Sequence, residues 1–416
     1  MEERPLRDPG LGSARVPDAL NGTRREAYEF VILGAGCAGL SLCHYLLEEG
    51  IDAPILIVDR RASFDDDRTW CFWDVEPTPF SHLALKSWRS WSAAADGRRV
   101  TQTTRRYPYL CVTGRDFYED VLARLARRPN VTLRLGEDII GYREGAKVTL
   151  VETSGGAYRA RHVFDGRGLA RGEPRFEEAR RNGTWVPQKF LGRRVWSLRP
   201  VFDPDRVTLM DFGVDQSRGL RFAYVLPFSE REALVESVYL SEAAAGPETY
   251  RAEIEAYLEE AYGLGAQEYE VLGEERGYIP MTDHRFPRRV GERVYAIGML
   301  GGETRPSTGY TFLRIQRYCR ALAAAFAHGQ TPPEGTGPKR LRLLDGLFLR
   351  FLSERPADCP PLYLRMFAGV PPDSLVRFLT EKSTPFDEAR LIRALPKTPF
   401  LKLAAKTLLE APTLWD

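Results

Sequence analysis

At 416 residues the chain is long enough for two or three packed domains around a substantial core. Its 59 basic and 57 acidic residues leave a formal charge of +2 in short, mixed runs, which excludes a nucleic-acid-binding surface written in charge. Six cysteines without a C-x-x-C pair and five scattered histidines argue against a metal cluster, and no run approaches the roughly 18 apolar residues of a membrane span.

Residues 1–26 are polar with proline and glycine and read as a disordered tail without a signal peptide. Ordered structure is expected from Tyr28. Phe30 to Leu33 make a buried strand, a glycine turn and an apolar helix follow, and Pro54 to Val58 make a second buried strand ending in Asp59. This is one βαβ unit. In its G-x-G-x-x-G, Gly34 permits the tight turn, Gly36 lets backbone approach a pyrophosphate, and Gly39 lets the helix lie close on the strand. The helix start offers N–H groups and a positive dipole end to phosphates. Asp59 stands where an acid accepts hydrogen bonds from an adenosine ribose. A glycine-rich packing turn is the competing reading, but strand, helix, second strand and acid all fall in place for a dinucleotide. The acid argues against a 2′-phosphate and leaves FAD or NAD. Placement early in the chain, with a second glycine loop far downstream, favours FAD.

Arg60 and Arg68 follow as further cofactor-binding candidates, separated by Asp65 to Asp67, three consecutive acids that share no face and read as a solvated turn. Trp70, Phe72, Trp73, Trp88 and Trp91 form either a core layer or the wall of an apolar channel. A helix is predicted from about Arg115 to Arg128, with Arg115 near the cofactor edge. Strands over 131–135, 147–152 and 159–166 form an edge ribbon and a return to the main sheet. Asp165 opens a D-G-R-G turn at the sheet edge where cofactors sit.

From about Ala170 to Gly273 the pattern changes to period-two strands and a helix from Pro247 to Tyr262, as expected of an inserted antiparallel domain. In ALVESVYL, Leu234, Glu236 and Val238 share one face and Val235, Ser237 and Tyr239 the other. Glu236 is then either a buried carboxyl or a surface acid. Val294 to Gly309 reads as a strand, a glycine loop with Gly298, and a long helix opening at Ser307 or Thr308. That helix start would aim its dipole at a flavin. Flavoproteins generally carry Asp after this glycine; here it is Met299. The segment from Arg340 is helical and proline-broken, with arginine among apolar residues, and reads as core packing or as a lip resting on a membrane. The fold class is therefore α/β (α+β): a Rossmann-like FAD/NAD(P)-binding domain over 27–169 and 276–332, an antiparallel substrate domain over 170–275, and a C-terminal helical region over 333–416.

With these residues assembled, the chain resembles the lycopene cyclase family of FAD-dependent carotenoid enzymes from about Tyr28 to Leu403. The resemblance rests on VILGAGCAGLSL with Asp59, DDRTWCFW, VFDGRG, ALVESVYLS, GYIPM, RPSTGYTF and RMFAGVPPDSLVRFL. It implies a hydroxylase-type FAD fold that uses reduced FAD, with NAD(P)H as reductant, to close ψ-ends of lycopene into β-rings without net redox change. By the same resemblance Gly34, Gly36, Gly39 and Asp59 hold the FAD adenosine diphosphate, Pro306, Thr308 and Gly309 lie at the flavin, and Glu236 is the catalytic acid. A substrate that lives in bilayers implies a cytoplasmic protein peripherally associated with the membrane. A flavin-dependent reductase or hydroxylase of isoprenoids, or a non-catalytic carotenoid carrier, remains open on the same fold.

Overall fold

A computed structural model describes residues 27–242, 246–335 and 337–410. The expected tail, 1–26, lies outside the described residues. Strand Ala27–Leu33 pairs in parallel with Ile55–Asp59 on one side and Gly156–Asp165 on the other, and Val131–Leu135 lies in parallel beyond Ile55–Asp59. The antiparallel ribbon Ile139–Glu144 and Thr149–Thr153 extends the sheet, and Val294–Ala296 returns in parallel against Val163 to Asp165. Phe30, Ile32, Ile55 and Ile57 point to the helix layer, while Val31, Leu33, Leu56 and Val58 face the other side. Helices Cys37–Glu48 and Phe312–Ala327 pack on the first face, joined by a bond from Gln316 Nε2 to Ser41 Oγ at 3.0 Å.

A second sheet has the strand order 269–282, 185–197, 232–240, 221–227, 206–211, 90–95, 98–103. Its pairing moves the expected boundaries. Ser90–Ala95 and Arg98–Thr103 belong to it, because Ser90–Ala95 pairs in parallel with Arg206–Asp211. Tyr269–Thr282 runs in this sheet beyond residue 275, since Trp185 pairs with Thr282. One face is covered by helix Pro247–Tyr262, which ends as expected at Gly263 with φ of +64°. The other packs on C-terminal helices between Lys339 and Glu410.

Trp73, Trp88 and Trp91 are fully buried in that second core. Trp70 and Phe72 share the face of Thr69–Trp73 opposite to that of Trp73 and pack in the first core on Phe117 and Phe312, with ring centroids 5.0 and 4.5 Å apart. The helix expected from Arg115 to Arg128 spans Gly114–Leu125, capped by the Thr113 side chain. The late helix begins at Phe312 rather than at Ser307 or Thr308. Gly309 takes φ of +73° and donates to Arg305 O at 2.9 Å, so residues 305–309 close a turn of their own before the helix can start.

Candidate active site

The glycine turn has the geometry a pyrophosphate needs. Gly34 has φ of +96°, and a Cβ there would stand 3.0 Å from Gly166 O. A Cβ on Gly39 would meet Gly34 O at 2.0 Å, whereas one on Gly36 would meet nothing within 4 Å. Open space thus lies only where a ligand would approach. Asp59, at the end of its strand, accepts from Ala35 N at 2.7 Å and from Arg61 N and Nε at 2.8 and 3.0 Å. Burial pulls its pKa upward, but the Arg61 guanidinium and the two backbone N–H groups outweigh burial and hold the carboxyl below its usual range.

These groups open onto a cavity of about 640 Å³ that reaches from Asp59, past Gly166 and Gly168, to Gly298, Met299 and Gly309. Gly34, Gly36, Arg60 and Arg68 also line it. The free Gly36 cradle, the start of helix Cys37–Glu48 and the acid beyond fit a dinucleotide. Gly39 acts behind the turn. Asp165 is buried and does not line the cavity; it holds Arg167, which does, through a 2.7 Å ion pair. Arg115 and Pro306 line neither this cavity nor the one described next: the backbone N–H of Arg115 is bound to Asp66 Oδ1 at 3.1 Å, and Pro306 lies in the 305–309 turn. Arg61, which sequence reasoning missed, and Arg167, of the D-G-R-G turn expected near the cofactor, join Arg60 and Arg68 among the cationic groups that line the cradle.

A second, mostly apolar cavity of about 190 Å³ adjoins the first, and Thr69, Cys71, Phe190, Glu275, Ile279 and Tyr310 line both. Its floor is the 232–240 sheet. Register sets Tyr224, Glu236, Gly192 and Glu275 side by side across four strands, so all four share one face. The alternation expected along ALVESVYL holds: Leu234 and Val238 face this side with Glu236, and Val235 and Tyr239 face helix Pro247–Tyr262. Thr308 lines this cavity, and Tyr363, Met366 and Phe367 of helix Cys359–Gly369 form another wall.

Glu236 is 7% exposed. Burial first, then the carboxylate of Glu275 and a hydrogen bond with it, push the Glu236 pKa well above the usual carboxyl range. Glu275 is raised by burial too, while its bonds to Thr69 Oγ1, at 2.7 Å, and to Glu236 favour its charged form. Of the two, Glu236 is the one whose surroundings favour the protonated form more strongly. Tyr224 and Tyr109 stand beside it, their hydroxyls 3.0 Å apart. Glu275 was not singled out from sequence; the E-R-G-Y-I-P-M context was its only local signal.

The loop 305–311 between the cavities is anchored from below. Arg305 and Asp345, 1% and 2% exposed, form a buried ion pair, and Ser307 Oγ donates to the same carboxylate at 2.7 Å. Among the described residues no group of three or more metal-ligating side chains occurs, and no helix is long and apolar enough to cross a membrane.

The family described as lycopene cyclase protein matches residues 29–405. The chain belongs to the lycopene cyclase family. It is 27% identical over 392 residues to a lycopene beta-cyclase of Pantoea ananas, covering 90% of this chain and 96% of that protein. It is 26% identical to a lycopene beta-cyclase of Paracoccus sp., covering 93% and 98%. Among solved structures, a flavoprotein/dehydrogenase from Cytophaga hutchinsonii aligns with a TM-score of 0.61 at 15% identity, covering 92% of this chain and all of that one. That likeness shows the fold, a Rossmann-like α/β architecture with an antiparallel second sheet. Family membership carries carotenoid cyclisation as the enzyme class.

Proposed function

We propose that this protein is a lycopene beta-cyclase that binds FAD in the larger cavity and closes ψ-ends of lycopene by acid-initiated cyclisation without net redox change. The observation that carries the reading is Glu236: a buried carboxyl beside a second one, with surroundings that favour its protonated form, in a mostly apolar chamber that opens on the dinucleotide cradle. The family membership and the two beta-cyclase relatives support it.

Lycopene has no polar handle, so ring closure begins with protonation of a terminal double bond. A carboxyl with a raised pKa still carries its proton near neutral pH and is the group able to give it. Glu236 presents that proton among Phe190, Phe222, Leu226 and Val238, which exclude water from the carbocation that follows. The faces of Tyr109, Tyr224 and Phe190 would each add about 1 to 2 kcal/mol of cation–π attraction. Reduced FAD in the larger cavity, kept reduced by NAD(P)H, would supply negative charge beside the cation. Gly34, Gly36, Asp59, Arg61 and Arg167 would hold the dinucleotide. A chamber of about 190 Å³ takes one end of a long polyene rather than the whole of it, so the two ends would be processed one at a time. In this reading the Glu232–Leu240 sheet and the helices that follow Lys339 bind substrate.

Delivery from a bilayer would use the C-terminal helices as a peripheral membrane contact on the cytoplasmic side. Phe386, Ile392 and Leu401 are 67%, 50% and 68% exposed there, interleaved with Arg390, Arg393 and Lys402. The test is Glu236→Gln: the variant should co-purify with as much FAD as wild type and convert no lycopene. Residual turnover above about a tenth of wild type would remove Glu236 from the acid role.

A further inference from the structure

Glu236 must recover a proton after every ring it closes, either the one the cyclised cation gives up or one drawn from outside its mostly apolar chamber. The sheet shows where one can come from. Gly192 lies directly between Glu236 and Glu275, opposite both in register. A Cβ at 192 would come 2.8 Å from Glu236 Cγ and 3.3 Å from its Oε1. The absence of that side chain lets Glu236 lie across the middle strand and hydrogen-bond the Glu275 carboxyl. Two carboxyls can share such a bond only when one of them is protonated. Glu275 also lines the dinucleotide cavity, which Glu236 does not, and it is oriented by Thr69 Oγ1.

We infer that Glu275 is the positioning and recharging partner of Glu236: the two carboxyls share one proton across Gly192, and Glu275 passes a solvent proton from the dinucleotide cavity to Glu236 after each turnover. The inference rests on the cyclase reading for the fate of the proton, and on the register across Gly192, the space left by its missing side chain and the shared cavity lining for the meeting of the two carboxyls. The cycle balances. Glu236 gives its proton to a substrate carbon and becomes a carboxylate facing a second carboxylate. That like-charge pair draws one proton in through Glu275, and the one proton the cyclised cation loses leaves toward the larger cavity that adjoins the chamber, so that one proton enters and one departs per ring. The groups facing the pair are Tyr224 from the adjoining strand 221–227, Tyr109 and Cys111 from Tyr109–Thr113, Cys71 and Thr69 from the strand Thr69–Trp73 paired with it, and, on the Glu275 side, Arg68 and Asp66. Arg194, next along the middle strand on the same face, is tied to Glu232. The charged group in contact with Glu236 itself is Glu275.

The experiment compares wild type, Glu275→Gln, Glu275→Asp and Glu236→Gln by two readouts. Infrared difference spectra in H2O and D2O follow the C=O stretch of a protonated carboxyl as pH rises; initial rates with lycopene give kcat, KM and the pH profile. In wild type the stretch should persist past neutral pH and be absent from Glu236→Gln. In Glu275→Gln, where a neutral amide replaces the second carboxylate and donates to Glu236, the stretch should titrate at least one pH unit lower. The alkaline limb of kcat should move by the same amount, kcat should fall at least tenfold with KM within twofold, and Glu275→Asp should restore part of both. A Glu275→Gln protein whose infrared titration is unchanged overturns the shared proton; one whose titration shifts while kcat stays within twofold overturns the relay. Wild-type protein that holds the infrared signal but isomerises no lycopene overturns the relay together with the cyclase reading, and the shared proton stands apart from both.

Discussion

Asp345→Ala removes one side of a buried ion pair and tests how the loop between the two cavities is held. Arg305 Nε donates to both Asp345 oxygens at 3.0 and 3.1 Å, and Nη2 donates to Oδ1 at 2.8 Å. Truncation leaves a guanidinium that is 1% exposed with the Phe378 carbonyl, at 2.5 Å, and the Phe378 ring, 4.8 Å from the guanidinium carbon, as direct partners and no carboxylate in contact, Glu381 acting only through space. An uncompensated charge at such a site costs about 3 to 5 kcal/mol, and the acceptor lost by Ser307 adds about 1 kcal/mol. The sum is a large part of the about 5 to 15 kcal/mol that holds a typical domain. Replacing both partners by apolar residues of similar size, Arg305→Met with Asp345→Leu, removes the stranded charge and should cost at least about 2 kcal/mol less than the single change. Urea unfolding followed by tryptophan fluorescence, on FAD-loaded protein, measures both. The single variant should also bind FAD more weakly, because Arg305 and residues 309–311 line the larger cavity. A single variant within about 1 kcal/mol of wild type, or a double variant at least as unstable as the single, would refute the reasoning.

Gly36→Val places a side chain in the open cradle, where the extended backbone (φ −79°) accepts any residue, so FAD content should fall at least about tenfold while the apoprotein melts as wild type does. Gly39→Ala meets backbone at 2.0 Å and should instead destabilise the apoprotein by about 1 to 3 kcal/mol or more, as calorimetry would show. Burial, then Arg161 and Arg293, lower His162 to about 4. The unfolded chain therefore binds this proton first, and stability falls as pH drops from about 6.5 to 4, by about 1 to 2 kcal/mol after allowance for partial exposure. His162→Phe, which keeps the contacts to Phe30 and Phe326, should flatten that part of the melting-against-pH curve. Glu236 has the opposite sign. Its proton is bound more tightly in the folded state, so its contribution to stability declines as pH rises from the unfolded carboxyl value to the raised folded one, by about 1.4 kcal/mol per pH unit. Glu236→Gln removes that decline and should melt above wild type at pH 8. Phe386→Asp with Leu401→Asp should reduce sedimentation with carotenoid-containing liposomes; unchanged sedimentation would place the membrane contact elsewhere.

The βαβ unit was legible because its determinants are local: Gly34 needs a positive φ, Gly39 must touch backbone, and the next strand ends in an acid a fixed distance on. That Leu234 and Val238 share a face with Glu236 was legible for the same reason, but alternation along one strand left open whether that face was buried, because both faces of Glu232–Leu240 are covered. What was not legible depends on pairing between distant segments. Strand Trp185–Ser197 contains Pro187, Gly192 and two arginines and does not read as a central strand, yet it runs between Tyr269–Thr282 and Glu232–Leu240. Without its register, Glu275 has no visible relation to Glu236. Ser307 or Thr308 reads as the opening of the late helix, but Gly309 with positive φ and the Arg305–Asp345 pair fold 305–309 into a turn first. Ser90–Ala95 and Arg98–Thr103 precede the expected insertion in sequence and join its sheet only through the parallel contact with Arg206–Asp211.

The measurement closest to the central claim is anaerobic conversion of lycopene in liposomes, with chemically reduced FAD in D2O, followed by chromatography and mass analysis of the product. Acid-initiated cyclisation predicts a product with a shortened chromophore that carries one deuterium for each ring closed and no other change in composition, with the flavin still reduced at the end. A product that has gained a pair of hydrogens or an oxygen, with reducing equivalents consumed in proportion, would contradict it.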